Sequence, residues 1–197
     1  MARVKKVSAE IVRPLRHKVL RPSLPFESSI MELDDHDYTF HFCVEEESRI
    51  ISVASAYHES FVELPKKDAY RLRGMATEPS EQGKGYGKMV LKGVIDYLTK
   101  ETRSEILWCN ARTTAFEFYE KMGFTIVGDE FDIPNLGPHK KGFINIWNAS
   151  GLNKGLENEK ITIPICLTCI LLLNPLLLQE IKKSLISHNH YIATRYK

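Results

Sequence analysis

Ser80-Glu81-Gln82-Gly83-Lys84-Gly85-Tyr86-Gly87-Lys88 sets three glycines at alternate positions immediately ahead of a strongly helical segment. Glycine takes up backbone angles closed to side chains and lets main-chain amides crowd a ligand. A helix that begins directly after such a loop presents unpaired N–H groups and the positive end of its dipole. Together these features make a cradle for phosphate or pyrophosphate.

Two common phosphate-binding patterns do not fit. A P-loop requires Gly-x-x-x-x-Gly-Lys-Ser/Thr. Aligned on Gly87-Lys88, its first glycine falls on Gln82 and its hydroxyl residue on Met89, which cannot hold magnesium. A dinucleotide fingerprint counted from Gly83 and Gly85 needs a glycine where Lys88 stands. What remains is Gln82-x-x-Gly85-x-Gly87 between a strand and a long helix.

The flanking elements follow from periodicity. Tyr70–Thr77 reads as the fourth strand, with Arg71, Arg73 and Met75 on one face and Leu72, Gly74 and Ala76 on the other. Gly74 inside it signals a bulge or a close approach. Upstream, Arg3–Ser8 reads as a strand, and Tyr38–Val44 and Ile50–Tyr57 as an antiparallel hairpin. Ile11, Val12, Leu15 and Val19 predict a helix that starts near Arg13, because Pro14 belongs in a first turn. Arg13, Arg16, His17 and Lys18 are then expected on its other faces. Ser23–Asp37 reads as a loop whose Glu32, Asp34, Asp35 and Asp37 form a solvated acidic patch.

Downstream of the glycines, Val90, Leu91, Val94, Ile95 and Leu98 line one face of a helix. Glu105–Asn110 is a short apolar strand. Thr113 or Thr114 is positioned to cap a helix carrying Ala115, Phe118, Tyr119 and Met122 on one face, with Gly123 at its C-terminal end. Phe124–Phe131 and Lys141–Trp147 are expected as strands around a loop at Asp132–Pro138. The order of elements makes an α/β domain with a mixed sheet.

The chain has 197 residues, suited to one domain with an appendage, and its net charge of +2 gives no argument for nucleic acid. Four cysteines do not make a disulfide framework, and Met1–Val7 lacks the apolar run of a leader. The expectation is a cytoplasmic protein.

Gln82-x-x-Gly85-x-Gly87 resembles the pyrophosphate-binding motif of the GNAT superfamily of acetyl-CoA-dependent N-acetyltransferases, Arg/Gln-x-x-Gly-x-Gly/Ala. Ala115-Phe116-Glu117-Phe118-Tyr119-Glu120-Lys121-Met122-Gly123-Phe124 resembles a second segment of that family, Ala-x-x-x-Tyr-x-x-x-Gly-Phe, in the right order with a strand between. The resemblance covers Arg3–Trp147 and implies a mixed, mostly antiparallel sheet with helices on both faces, splayed between strands four and five. It further implies acetyl transfer from acetyl-CoA to a primary amine, with a small molecule as acceptor and no metal. On that reading Met75, Ala76 and Thr77 pair with the pantetheine arm, a backbone amide around Gly74–Ala76 stabilises the oxyanion, and the amides of Gln82, Gly83, Lys84, Gly85, Tyr86, Gly87 and Lys88 wrap the pyrophosphate. Tyr119 matches the tyrosine that protonates the departing thiolate.

Many relatives carry asparagine where this chain has Arg112, and the nearest asparagine is Asn110. Arg112 either reaches a cofactor phosphate or is solvated. Arg71 and Arg73 either bind a substrate carboxylate or pair with acids on a neighbouring strand. No general base stands out among Glu78, His41 and His58. Cys109 reads as a buried small hydrophobe.

Residues 148–197 form a separate C-terminal extension. Its charge-free stretch 161–179 is long enough for a bilayer and is followed by Lys182 and Lys183, but Pro164, Asn174 and Pro175 interrupt it, so anchoring is the minority reading. Cys166-x-x-Cys169 with His188 and His190 imitates zinc spacing in apolar surroundings that argue against a metal. The reading of a different class is a non-catalytic acyl-CoA-binding module attached to a membrane or partner through this tail.

Overall fold

Thr39–Glu46 (β2) and Arg49–His58 (β3) pair as an antiparallel hairpin. Its tight turn, Glu47-Ser48, has positive φ at both residues, 48° and 61°, the geometry that matches strand twist. The computed structural model describes residues 1–149, with side chains through Trp147. The tail stretch 161–179, the tail's cysteine and histidine residues and everything beyond residue 149 lie outside the described residues. The remaining strands are Arg3–Val7 (β1), Ala69–Thr77 (β4), Ile106–Arg112 (β5), Thr125–Ile133 (β6) and Gly137–Asn145 (β7). The helices are Ala9–Leu20 (α1), Tyr86–Glu101 (α2), Phe116–Lys121 (α3) and Ile146–Ala149 (α4).

The seven described strands form one sheet in the order β1-β2-β3-β4-β5-β7-β6, antiparallel except for the parallel pair β4–β5. That parallel pair is short: Ala69, Tyr70 and Arg71 face Ile106, Leu107 and Trp108. Beyond it both strands continue, to Thr77 and Arg112, without pairing to each other. The sheet is therefore splayed between its fourth and fifth strands.

Two layers cover the sheet. On one face α2 buries Val90, Leu91, Val94 and Leu98 against Phe42, Val44, Leu72 and Leu107. On the other α1 sets Val12 and Leu15 against Cys43, Val53 and Ala76. A smaller cluster of Phe61, Ile106 and Trp108 closes the β5 end.

Several expectations are corrected by this packing. Helix α1 begins at Ala9, and Pro14 lies inside it rather than in the first turn. An interior proline costs roughly 3 kcal/mol, and the buried side of the helix offsets that loss. Val12 and Leu15 lie on that side as their spacing predicts, but Ile11 is exposed and Arg16 is completely buried. Asp34 is buried too and is not part of a solvated patch. Arg16 Nη1 donates to both Asp34 carboxylate oxygens (3.0 and 2.9 Å) and to the Ser29 carbonyl (2.8 Å). Its Nη2 donates to Ser55 Oγ at 2.9 Å, and Tyr57 Oη donates to Asp34 at 2.5 Å. His41 joins through Ser55 Oγ (2.7 Å) and the Asp34 carbonyl (2.8 Å). An arginine among other basic residues on the helix's polar faces gave no warning of this network.

Gly74 explains the second correction. Between Arg73 and Ala76 on β4 stand two residues opposite one residue of β3, which is a β-bulge, and Gly74 has φ +59°. A side chain there would meet Arg16 Nε at 2.5 Å, so the glycine serves both a bulge and a close approach. The bulge inverts the alternation after it. Met75 packs with Leu72 on the α2 face, and Ala76 lies on the α1 face. Smaller differences concern ends. Neither Thr113 nor Thr114 caps α3 with its hydroxyl, and β6 and β7 extend through most of Asp132–Pro138, leaving a short turn.

Removing one partner of a buried ion pair strands the other charge, at a cost of about 3–5 kcal/mol. Asp34→Ala is expected to lose about that much in urea denaturation at pH 7. Gly74→Ala is expected to lose about 1–2 kcal/mol from its φ angle alone, and more from displacing Arg16. Burial raises the Asp34 pKa, but the Tyr57 hydroxyl, the Met31 N–H and Arg16 outweigh it and hold the carboxyl below its ordinary value. Its stabilisation is complete above the unfolded value of about 3.9 and is lost as pH falls through the folded value. The stability gap between the wild type and Asp34→Asn should therefore narrow only below about pH 4.

Candidate active site

The splay opens a cavity of about 760 Å³ that runs through the sheet. Strand alternation divides its walls between the two faces. Met75, Gly87, Phe118 and Tyr119 belong to the α2 side. Arg71, Arg73, Asn110 and Arg112 alternate with core residues of that side, so they point to the α1 side, where Leu20, Arg21 and Met31 complete the wall. His139, opposite Arg112 on β7, joins them.

On the α2 side the glycine loop ends β4's path and starts α2. Gly83 has φ +79° and Gly85, the residue before the helix, φ +90°. A side chain at either would meet no atom within 4 Å, so the backbone angle, not crowding, calls for glycine, and the space before the loop is open. The first helical bond runs from Met89 N–H to the Gly85 carbonyl. The amides of Tyr86, Gly87 and Lys88 are thus left to a ligand or solvent. Gln82 Nε2 donates to the Thr77 carbonyl at 3.2 Å, closing the loop onto the end of β4.

Of the residues the resemblance assigns to the cofactor, Met75, Ala76, Thr77, Gln82, Gly83, Gly85, Gly87 and Lys88 line the cavity. Lys84 and Tyr86 are not among the lining residues. Lys84 Nζ pairs with Glu81 at 2.8 Å, and Tyr86 Oη donates to Glu46 at 2.5 Å. These residues fit an acyl-CoA by two observations: an open, positively polarised helix start, and a β4 edge that has no β5 partner beyond Arg71.

Tyr119 lines the cavity, and its hydroxyl touches Met75 Sδ at 3.9 Å. Burial raises its pKa well above the usual phenol value, with Cys109 adding to the effect, so it stays protonated at neutral pH. Cys109 itself is pushed up to about 12 by burial and is inert as a nucleophile.

On the α1 side Arg71 Nη1 pairs with Glu59 at 2.7 Å and its guanidinium lies 4.6 Å over the Trp108 ring. Arg73 lies 5.3 Å over the Tyr57 ring, and its closest carboxylate oxygen, on Glu59, is 4.0 Å away. Burial, then the neighbouring Arg71 charge, lowers its pKa. Asn110 Oδ1 is buried without a partner. Arg112 is half-buried and off the glycine-loop face; its Nη2 approaches the Leu20 carbonyl at 3.4 Å.

The three candidate bases lie elsewhere. Glu78 pairs with Lys18, His58 with Asp68, and His41 is committed beneath the sheet. The residue that sequence reasoning missed is His139. Its Nδ1 lies 2.7 Å from the Gly137 carbonyl, which only accepts, so Nδ1 carries the proton and Nε2 is the acceptor of the neutral ring. Nothing in its local sequence marked it, because Asp132–Pro138 read as a loop and β7 began later.

The model of the acetyltransferase (GNAT) family matches residues 9–124. The chain belongs to the GNAT family. As a member it is an N-acetyltransferase, an acyl-transferring enzyme of a family that uses acetyl-CoA or other acyl-CoA donors. It is 34% identical over 139 residues to the uncharacterized N-acetyltransferase YitI of Bacillus subtilis (strain 168), covering 71% of this chain and 93% of that one. Its fold is similar to FeeM, an N-acyl amino acid synthase from uncultured soil microbes (13% identity, TM-score 0.64, 77% of this chain and 94% of that one). It is likewise similar to ElaA of Escherichia coli (14%, TM-score 0.59, 73% and 99%). Among the described residues no helix is long and apolar enough to cross a membrane.

Gly83→Ala and Gly85→Ala are each expected to lose about 1–2 kcal/mol of stability through φ alone. Gly87→Ala, helical and in ordinary contact with Met75 and Thr77 at 3.5 Å, is expected to be neutral or to gain up to about 1 kcal/mol. Chemical denaturation of the three variants checks the contrast.

Proposed function

We propose that the chain transfers the acetyl group of acetyl-CoA directly to the primary amine of a small molecule. The observation that carries this reading is the cavity through the splay, with an anion cradle at one face and a separate polar pocket at the other. Two reactants entering from opposite faces meet at the unpaired edge of β4, where binding replaces an encounter in solution.

Acetyl-CoA supplies an activated thioester. The loop amides from Gln82 to Lys88 hold its pyrophosphate, with the α2 dipole and Lys88 adding charge. The free edge of Met75–Thr77 takes its pantetheine arm as an added strand. The amine nitrogen attacks the thioester carbonyl, a backbone N–H of β4 near the bulge stabilises the oxyanion, and the carbon–sulfur bond breaks. Tyr119 gives its proton to the departing sulfur; the phenol held neutral by burial supports that role. His139 Nε2, the acceptor nitrogen on the opposite face, takes the proton from the amine.

A panel of primary amines with release of free CoA thiol as readout tests the reading. Tyr119→Phe is expected to lower kcat about 100-fold with acetyl-CoA affinity nearly intact. Gly85→Glu is expected to abolish acetyl-CoA binding, read as loss of the ligand-induced rise in Tm, because its carboxylate occupies the phosphate cradle. Turnover by no amine, with acetyl-CoA still raising Tm, would reduce the chain to a binding module.

A further inference from the structure

The acceptor side of the cavity has a charge of its own. Arg21, Arg71, Arg73 and Arg112 line it, and the one carboxylate among the described lining residues is Glu81. Glu81 sits beside the glycine loop and is held by Lys84 (2.8 Å) and Arg49 (3.4 Å). The four guanidiniums are not spare charge for the phosphates of CoA. Arg71, Arg73 and Arg112 alternate away from the α2 core, and Arg21 follows α1, so they occupy the face opposite the phosphate cradle.

They are also not equally satisfied. Glu59 engages Arg71 through Nη1 and leaves its Nε buried without a partner, and Arg112 reaches a carbonyl. Arg73 has no hydrogen bond among the described residues, and its nearest carboxylate oxygen stands 4.0 Å off. A half-buried guanidinium beside a second cation, with its planar fork unused, is a seat for a carboxylate. On the same face Asn110 Oδ1 is buried without a donor, and an amine N–H supplies one. A cationic polyamine meets the opposite situation, four positive groups and no available acid.

We infer that the acceptor is an amine bearing its own carboxylate, a free amino acid, with Arg73 seating the carboxylate and the Asn110 amide oxygen receiving an amine N–H. This rests on the acetyltransferase reading. Uncharged and polycationic amines are then poor acceptors, because they offer no acceptor to the Arg73 fork, which keeps only its long 4.0 Å pair with Glu59.

Matched pairs test it: leucine with isopentylamine, phenylalanine with phenethylamine, and each amino acid with its amide, alongside spermidine and O-phosphoethanolamine. The full chain is assayed by thiol release at saturating acetyl-CoA. The expected result is a kcat/KM at least about 10-fold higher for the amino acid of each pair, in the range of a hydrogen bond to a charged group. Arg73→Gln is expected to bring the pairs to near parity by raising the amino-acid KM, leaving the KM for acetyl-CoA and its thermal shift unchanged, and Arg73→Lys to restore part of the preference. Faster turnover of the decarboxylated amine, of spermidine or of O-phosphoethanolamine would overturn the carboxylate assignment while leaving the acetyltransferase reading intact. An undiminished preference in Arg73→Gln would overturn the role of Arg73. Absence of turnover with every amine would overturn both readings together.

Discussion

The parting of β4 from β5 after the Arg71–Trp108 register is the constraint on which the rest of this structure depends. A parallel pair normally continues until one strand ends, because an unpaired buried edge leaves backbone groups without partners. Here the edge is instead the wall of a cavity. Keeping it open requires that β4 be held from its other side, and Gly74 and Arg16 do this. The bulge turns the strand, and the buried guanidinium occupies the space the missing side chain vacates. Arg16 in turn ties α1, β3 and the 25–37 segment into one hydrogen-bonded block through Asp34, Ser55 and Tyr57. The reactive gap is therefore built on a polar core rather than on apolar packing alone.

The bulge also decides which residues face which reactant. Without it Met75 would share a face with Arg71 and Arg73. With it, the thioether moves to the side of Tyr119 and the arginines remain on the other. One extra residue in a strand thus separates an apolar side, ending at the glycine loop, from a cationic one. On the proposed reading, the division lets a single cavity treat two chemically different molecules differently.

The succession of strands and helices along the chain and the glycine loop were legible in the sequence because they rest on periodicity and on glycine's backbone freedom, which are local; the splay was implied by the family resemblance. The hairpin, β4, α2 and the loop stand where alternation and the helical repeat put them. Gly74 was legible as an anomaly, though not its consequence, since a bulge inverts alternation and only pairing with β3 reveals the inversion. Arg16 and Asp34 were misread because a charged side chain satisfied by distant partners looks, in sequence, like one satisfied by water. His139 was missed for a related reason. Its neighbours carry turn residues that mask a strand, and its role follows from a cross-strand position opposite Arg112.

The β2–β3 hairpin reaches the glycine loop as well. Glu46, at the end of β2, takes the Tyr86 hydroxyl, and Arg49, at the start of β3, takes Glu81, which also holds Lys84. The loop is therefore braced from outside at its first and last thirds while Gly83 and Gly85 stay exposed. Ordering a flexible segment on binding costs entropy, and a segment already held in its bound shape avoids most of that cost. The surface pairs are individually weak, but together they hold the loop in one shape, so a donor bound as proposed would meet a small entropic penalty.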